Sequence, residues 1–312
     1  MKSIFILGGG GFIGKTLAEE FLNRGYRVAV YDTLGEEQFE NFEKKKELII
    51  YKGNMEEYEK MEEVLKKEKP DIIFHLVCNI LPGSREDEVL KYMDLNMNST
   101  LKLFEIMRDT KVKKLVYVSS GGAIYGANGK SINNEDDELK PINFYGWIKY
   151  AIEKYIKAYH NIYGFDYLIV RPSNPFGKYQ NINGRQGIVA VVMGKVLKDE
   201  KIEIWGDGTV VRDYIPAVDM ARYVAELLDN KNWNRVYNIG SGIGKSIKDI
   251  LGIIEKVSGK KLDIDYKSGR KEDIPVNILD ISRIKKETGI IIEDNIEKEL
   301  EHMWNEIKIM NN

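Results

Sequence analysis

At 312 residues, 43% of them apolar, the chain is long enough to bury one large core or two modest ones. A formal net charge of −2 excludes a polyanion-binding surface as its organising feature. One cysteine, Cys78, and three histidines exclude a disulfide framework and a zinc cluster. Cys78, in an apolar segment, reads as a buried thiol in a reducing compartment.

The first element is the apolar run Ile4-Phe5-Ile6-Leu7, a strand. It leads into Gly8-Gly9-Gly10-Gly11-Phe12-Ile13-Gly14, which opens the helical pattern Ile13, Leu17, Phe21. Strand, tight glycine turn and helix together place a helix N-terminus, with its free N–H groups and positive dipole end, against a pyrophosphate. The spacing Gly8-x-x-Gly11-x-x-Gly14 assigns Gly8 to the tight turn, Gly11 to the backbone's approach to phosphate and Gly14 to close packing of the helix on its strand.

Further strands are predicted at 27–31, 48–51, 72–77, 115–119 and 167–171, alternating with helices near 13–24, 55–67, 88–109 and 145–163. Such alternation, with strands that are continuous apolar runs, predicts an α/β Rossmann-type doubly wound parallel sheet covered on both faces. After about residue 172, Gly, Asn and Pro become frequent and the elements shorten. Residues 1–171 are expected to bind dinucleotide and also to receive 213–240, through a helix near 217–229 and the run Arg235 to Ile239. Residues 172–312 are expected to form a smaller substrate-binding α/β domain. The N-terminus runs straight into a strand and no apolar run approaches ~18 residues, so a soluble, cytoplasmic protein is expected.

The second strand ends in Asp32, 18 residues beyond Gly14, where a carboxylate binds the adenosine ribose diol and repels a 2′-phosphate; NAD is therefore favoured over NADP. Tyr145 and Lys149 are four apart, on one face of a helix. A nearby ammonium and a nicotinamide cation would stabilise the phenolate and bring its pKa, ordinarily near 10, toward working pH. The same Lys can hydrogen-bond the nicotinamide ribose. A Tyr-x-x-x-Lys pattern is common by chance. It gains weight here from the glycine turn, Asp32 and a strand ending in Ser119-Ser120.

With these residues the chain resembles the extended short-chain dehydrogenases/reductases of the NAD-dependent epimerase/dehydratase family. The likeness covers nearly the whole length. It runs through Phe74-His75-Leu76, Asn96 with Ser99-Thr100, Val116 to Ser120, Ala123-Ile124-Tyr125-Gly126, Tyr145 to Lys149 and Arg171 to Gly177. It continues through Gly206 to Tyr214, Tyr237 to Gly242, and Arg270 with Asp273. The resemblance implies a cofactor-binding set of Gly8, Gly11, Phe12, Ile13, Gly14, Asp32, Asn54, Met55, Leu76, Asn96, Ser119, Tyr145, Lys149 and Pro172. Asn54 replaces the usual adenine-contacting Asp. It also implies a nucleotide-diphosphate sugar, UDP- or dTDP-linked, as substrate. Asn174 would meet its pyrophosphate, Arg212 and Arg270 its phosphates, and Asp273 a ribose hydroxyl or Arg270. Relatives form homodimers through a four-helix bundle made by the helices near 88–109 and 145–163.

One departure stands out. Four residues before Tyr125, where relatives carry Ser or Thr to share the substrate hydroxyl, this chain has Gly121; Ser120 is the nearest replacement, then Ser119. The positions matching the dehydratases' Asp-Glu pair are Gly122 and Ala123, and the Glu of decarboxylating relatives is also missing. What remains is hydride chemistry without a second acid–base pair. The expected reaction is nucleotide-sugar 4-epimerisation of the UDP-glucose/UDP-galactose type: oxidise C4, rotate the keto-sugar, return the hydride to the other face. The catalytic residues would be Tyr145, Lys149 and Ser120. A reductase of a nucleotide-linked 4-keto-6-deoxy sugar needs the same residues, and a non-catalytic dinucleotide sensor is the third alternative. Small residues at Gly121, Gly122, Ala123 and Gly187 suggest room for a turning or substituted sugar.

Overall fold

The structure is a computed structural model that describes residues 2–40, 42, 44–80, 89–184, 186–269 and 274–311. β1 (Ser3–Leu7) passes through the glycine turn into α1 (Phe12–Asn23), followed by β2 (Arg27–Asp32), β3 (Leu48–Lys52), α2 (Tyr58–Glu68) and β4 (Ile72–His75). α3 (Val89–Tyr92) continues through a π turn at Met93–Asn98 into α4 (Ser99–Thr110). Then come β5 (Lys114–Val118), β6 (Ile132–Asn133), α5 (Phe144–Tyr163), β7 (Asp166–Pro172), β8 (Asn174–Phe176), α6 (Ile188–Leu197) and β9 (Ile202–Trp205). The chain continues through β10 (Val211–Pro216), α7 (Ala217–Asp229), β11 (Arg235–Ile239), β12 (Gly244–Ser246), α8 (Ile247–Ser258), β13 (Ile264–Lys267) and β14 (Val276–Leu279). It closes with α9 (Ser282–Thr288) and α10 (Ile296–Asn311).

Seven strands form a parallel sheet in the order β11-β7-β5-β4-β1-β2-β3. The first strand shows why these strands are apolar throughout. Ile4 and Ile6 enter the core on the α1 and α7 side, while Phe5 and Leu7 enter the core on the α2, α4 and α5 side. Both faces are covered, so period-two alternation has nothing polar to alternate with. The predicted elements match, with shifts at their ends. The helix expected from 55 begins at Tyr58, because residues 54–57 form a tight turn in which the Asn54 N–H donates to the Glu57 carboxylate at 2.6 Å. The helix expected near 88–109 is broken by the π turn.

Of residues 213–240, α7 packs on α1 and β11 joins the sheet beside β7, in register Arg235 with Leu168. β10 does not join that sheet; it pairs with β8, β12 and β14. A separate core gathers Phe176, Met193, Ile204, Tyr214, Ile254 and Trp304 from the elements after β7. Among the described residues no helix is long and apolar enough to cross a membrane, and no cluster of His, Cys, Asp and Glu suits a metal ion.

Helix α5 rests on α4 and β7 through Phe104, fully buried, whose ring stacks 4.9 Å from Tyr159 and 5.7 Å from Phe165. Phe104→Ala removes both contacts and leaves a cavity under the helix. We expect a loss of about 3–5 kcal/mol, read as a lower urea midpoint with an unchanged slope.

Candidate active site

The glycine turn lies at the carboxyl edge of the sheet. Gly8 has φ +81° and its N–H donates to the Tyr31 carbonyl at 2.9 Å. Gly11 is the N-cap of α1, with no side-chain cap and no acid in the first helical turn, so that helix end keeps N–H groups for a ligand. A Cβ on Gly11 would meet only the Gly8 carbonyl, at 3.6 Å, so this face of the turn is open. The packing roles differ from those expected. A Cβ on Gly14 would lie 2.5 Å from the Gly8 carbonyl and 2.6 Å from Gly9 Cα, so Gly14 closes the helix onto the turn itself. Gly9 is the glycine that meets the sheet, where its Cβ would strike Val30.

Asp32 accepts from the Gly10 N–H at 2.8 Å and the Leu34 N–H at 3.0 Å, which fixes its carboxylate beside the turn. Lys15, half-buried between the Phe39 and Tyr179 rings, lies close enough for Asp32 to offset part of the burial that lowers its pKa. Phe12 and Ile13 are half-exposed in the first turn of α1. Asn54 spends its amide oxygen on the Glu56 N–H at 3.3 Å, and Met55 is buried in the core, so only backbone at 55 faces outward from it. Leu76 is half-buried and bonded to Leu7 O at 3.0 Å. Asn96 is held from both sides: its Oδ1 accepts from Asn79 N–H at 2.9 Å and its amide donates to Tyr92 O at 2.8 Å. It orders the segment after β4 rather than presenting its side chain to a ligand. The π turn that carries it is a common device at functional sites. Ser119 and Pro172 end β5 and β7 at the same edge. The Ser119 hydroxyl is buried without a partner, and Pro172 O accepts from Gly121 N–H at 2.8 Å. An open glycine turn, an uncapped helix N-terminus, a fixed Asp32 and an orphaned Ser119 hydroxyl fit a dinucleotide.

Tyr145 and Lys149 lie in the first two turns of α5, whose N-cap Asn143 accepts from Gly146 N–H at 2.9 Å. The Lys149 ammonium lies 5.8 Å from the Tyr145 ring centre and 5.0 Å from that of Tyr117, and donates to Val118 O at 2.8 Å. Ser120 lies close enough to the Tyr145 phenol to favour its ionised form, so the structure joins Tyr145, Lys149 and Ser120 in one cluster. Without cofactor, burial pushes the phenol's pKa above the ordinary value, the neighbouring Cys78 adds to that, and Ser120 opposes it. The lowering expected from the sequence requires the nicotinamide cation as well as the ammonium. Lys149 is pulled down by burial and held up by Cys78 and Glu153.

Gly121 has no side chain because none would fit: its Cβ would lie 2.6 Å from Leu279 Cδ1 and 3.0 Å from Arg171 O. The glycine faces the core, not the site, and Ser120 is the hydroxyl beside Tyr145. Gly122 does face the site. A Cβ there would meet Asn174 Oδ1 at 3.7 Å and Ser120 Oγ at 3.9 Å. Asn174 is therefore next to the Tyr145 cluster, its amide nitrogen bonded to Asp213 O at 2.8 Å.

From Asn174 a cleft of about 510 Å³ extends between α6, β9 and β10, lined by Gln180, Gly187, Trp205, Arg212 and Tyr214 among others. Arg212 reaches it with one guanidinium nitrogen bonded to Ile274 O at 2.7 Å and Val211 O at 2.8 Å. Gly187, φ +80°, caps α6, but the space a side chain would take is filled by Gln180, so Gly187 supplies no room for a sugar. Arg270 and Asp273 lie outside the described residues. Residues not singled out from the sequence include Gln180, whose Oε1 is buried without a partner, and Trp205, half-exposed on the cleft wall. His75 is another: buried between Thr100 and Tyr117, it is held neutral with its pKa pulled down to about 3 by burial and Lys149. The strand Ile202–Trp205 was not among those predicted, and nothing local marked Trp205 as facing a cleft.

The chain is similar to known proteins over most of its length. It is 30% identical over 282 residues to a putative UDP-glucose 4-epimerase of Methanocaldococcus jannaschii, covering 90% of each chain. It is 27% identical to a dTDP-4-dehydro-6-deoxyglucose reductase of Escherichia coli, covering 95% of this chain and 96% of that one. Among solved structures, the UDP-glucose 4-epimerase of Thermotoga maritima with UDP-glucose superposes with a TM-score of 0.92 at 30% identity, over 99% of this chain and 100% of that one. The family model of the NAD dependent epimerase/dehydratases matches residues 4–240, a stretch that includes the glycine turn and the Tyr145/Lys149 helix: the chain is an NAD-using enzyme of the NAD dependent epimerase/dehydratase family.

Proposed function

We propose that the protein is a nucleotide-sugar 4-epimerase acting on UDP-glucose and UDP-galactose or a related pair. The observation that carries this reading is the composition of the Tyr145 cluster: one proton-handling unit, Tyr145 with Ser120 and Lys149, beside Gly122 and Ala123, which cannot move protons at neighbouring carbons. When bound, NAD supplies the hydride acceptor and donor, held by the glycine turn and Asp32. Tyr145 takes the proton of the C4 hydroxyl and later returns it; Ser120 holds that oxygen in place; Lys149 orients the ribose and favours the phenolate. The diphosphate lies in the cleft from Asn174 to Arg212, and the base stands against Trp205. The elements built from 1–171 with α7 and β11 carry NAD, and the remainder of 172–312 carries the sugar nucleotide. Phe144, Trp147, Tyr155 and Ile162 are exposed along one stripe of α5, which supports a homodimer through that helix and α4.

The reductase reading is favoured by the reductase among the relatives. The two separate cleanly. An epimerase interconverts UDP-glucose and UDP-galactose with no net change in NADH absorbance. A reductase consumes NAD(P)H in proportion to an added 4-keto sugar nucleotide and leaves the UDP-sugars untouched. A protein that binds NAD and turns over neither substrate would be a sensor.

Two substitutions test the cluster. Ser120→Ala should lower kcat about a hundredfold with little change in thermal stability, the scale of one lost proton-handling contact; a near-normal rate would remove Ser120 from the site. Asp32→Ala should raise the Kd for NAD by roughly tenfold and narrow the preference over NADP, read by fluorescence titration.

A further inference from the structure

Behind the Tyr145 cluster lies a buried ion pair that the reaction as described does not use. Glu153 is one helical turn beyond Lys149 on the inner face of α5, and both are buried. Arg171, on β7, grips the Glu153 carboxylate with two nitrogens, at 3.0 and 2.7 Å. The same guanidinium donates to the Tyr125 hydroxyl at 3.0 Å and Glu135 O at 3.2 Å, and Tyr125 donates in turn to Asn238 Oδ1 at 2.6 Å. Every link of this network is satisfied, so the carboxylate has one fixed place.

Stability alone does not account for such a pair. Burying two charges costs more desolvation than their attraction returns in many proteins, and apolar residues of similar volume do as well or better. Its position suggests a different use. Lys149 must keep a proton while buried, in surroundings that favour the neutral amine. The titratable and charged groups around it are Tyr145 and Glu153 on its own helix, Tyr117 on β5, His75 on β4 and Cys78 just after β4. Arg171 stands behind Glu153, and Lys157 lies one turn further along α5. His75 is neutral, Tyr145 and Tyr117 are held protonated by burial, and Glu153 is the carboxylate of the set. A carboxylate so placed is a counter-charge for the ammonium, and Arg171 fixes it in one position with two charge-assisted bonds.

We propose that Glu153 is a positioning residue for the reaction: fixed in place by Arg171, its carboxylate is the counter-charge of Lys149 and holds the Tyr145 face of α5 against β7. The inference rests on the reading of Tyr145 and Lys149 as the reacting pair.

The test is the pH dependence of epimerisation in the NAD-loaded enzyme. Glu153→Gln should bring the alkaline limb of kcat down by about one pH unit, because Lys149 loses its proton earlier, with KM at neutral pH little changed. Glu153→Asp keeps the charge and should retain most of the wild-type profile. The double variant E153M/R171M replaces the pair with apolar volume and leaves neither Glu153 nor Arg171 without the other; it should fold and show the same alkaline shift. A folded Glu153→Gln or double variant with the wild-type pH profile overturns the inference, whatever its rate. Loss of folding in both would also overturn it, by assigning the pair to stability. Tyr145→Phe, run alongside, separates the two levels. Residual turnover near wild type would sink the reading of the site, whereas an inactive Tyr145→Phe with unshifted Glu153 variants would sink the inference alone.

Discussion

The arrangement depends most on the passage of the chain from β7 to β8. β7 lies inside the seven-stranded sheet, and β8, which pairs with β10 outside it, begins after the single residue Ser173. Ser173 N–H is bonded to Ile239 O at 2.8 Å and Pro172 O holds Gly121 N–H at 2.8 Å, so the corner is clamped from β11 on one side and from the end of β5 on the other. One residue of slack leaves little freedom between the two halves. The first residue beyond the corner, Asn174, therefore lies next to Ser120, within 4 Å of a shared point above Gly122. A cleft that must bring a sugar to a cofactor needs this kind of fixed offset, since an ångström of misplacement between reacting groups is expensive in rate.

Asp213 secures the far side of the corner. Its buried carboxylate accepts from Ser241 N–H at 2.9 Å, Ser241 Oγ at 2.8 Å, Gly242 N–H at 3.1 Å and Leu279 N–H at 3.3 Å, while its carbonyl holds Asn174. Desolvation raises its pKa, and those donors oppose the shift. β10, the turn after β11 and β14 are thus tied at one residue. Arg212, its neighbour, reaches the cleft from a strand that cannot swing.

The fold was legible because its strands are continuous apolar runs between amphipathic helices, a pattern that both-face burial imposes directly on local sequence. The glycine turn, Asp32 and the Tyr145/Lys149 pair were legible because each is a short-range pattern: a fixed spacing on one turn, one strand end or one helix face. What did not show depends on contacts between distant segments. Gly121 read as a missing catalytic side chain, and only its contact with Leu279, far away in the chain, shows why no side chain fits. Gly187 read as open space until Gln180, seven residues earlier, was found filling it. The burial that raises the Tyr145 pKa in the absence of cofactor was likewise invisible, because spacing shows a neighbouring charge but not how much water is removed.

Gly121 and Gly122 also show how two adjacent glycines can answer to different demands. The first is required by the core: Leu279 and the Arg171 carbonyl occupy the place of its Cβ. The second has ordinary clearance, with nothing nearer than 3.7 Å, so packing does not require it. A side chain at 122 would instead project into the gap between Ser120 and Asn174, at the edge of the Tyr145 cluster. The 4-epimerase we propose makes use of that gap: a hexose held by its diphosphate at Asn174 needs it clear to present either face of C4 to the same cofactor.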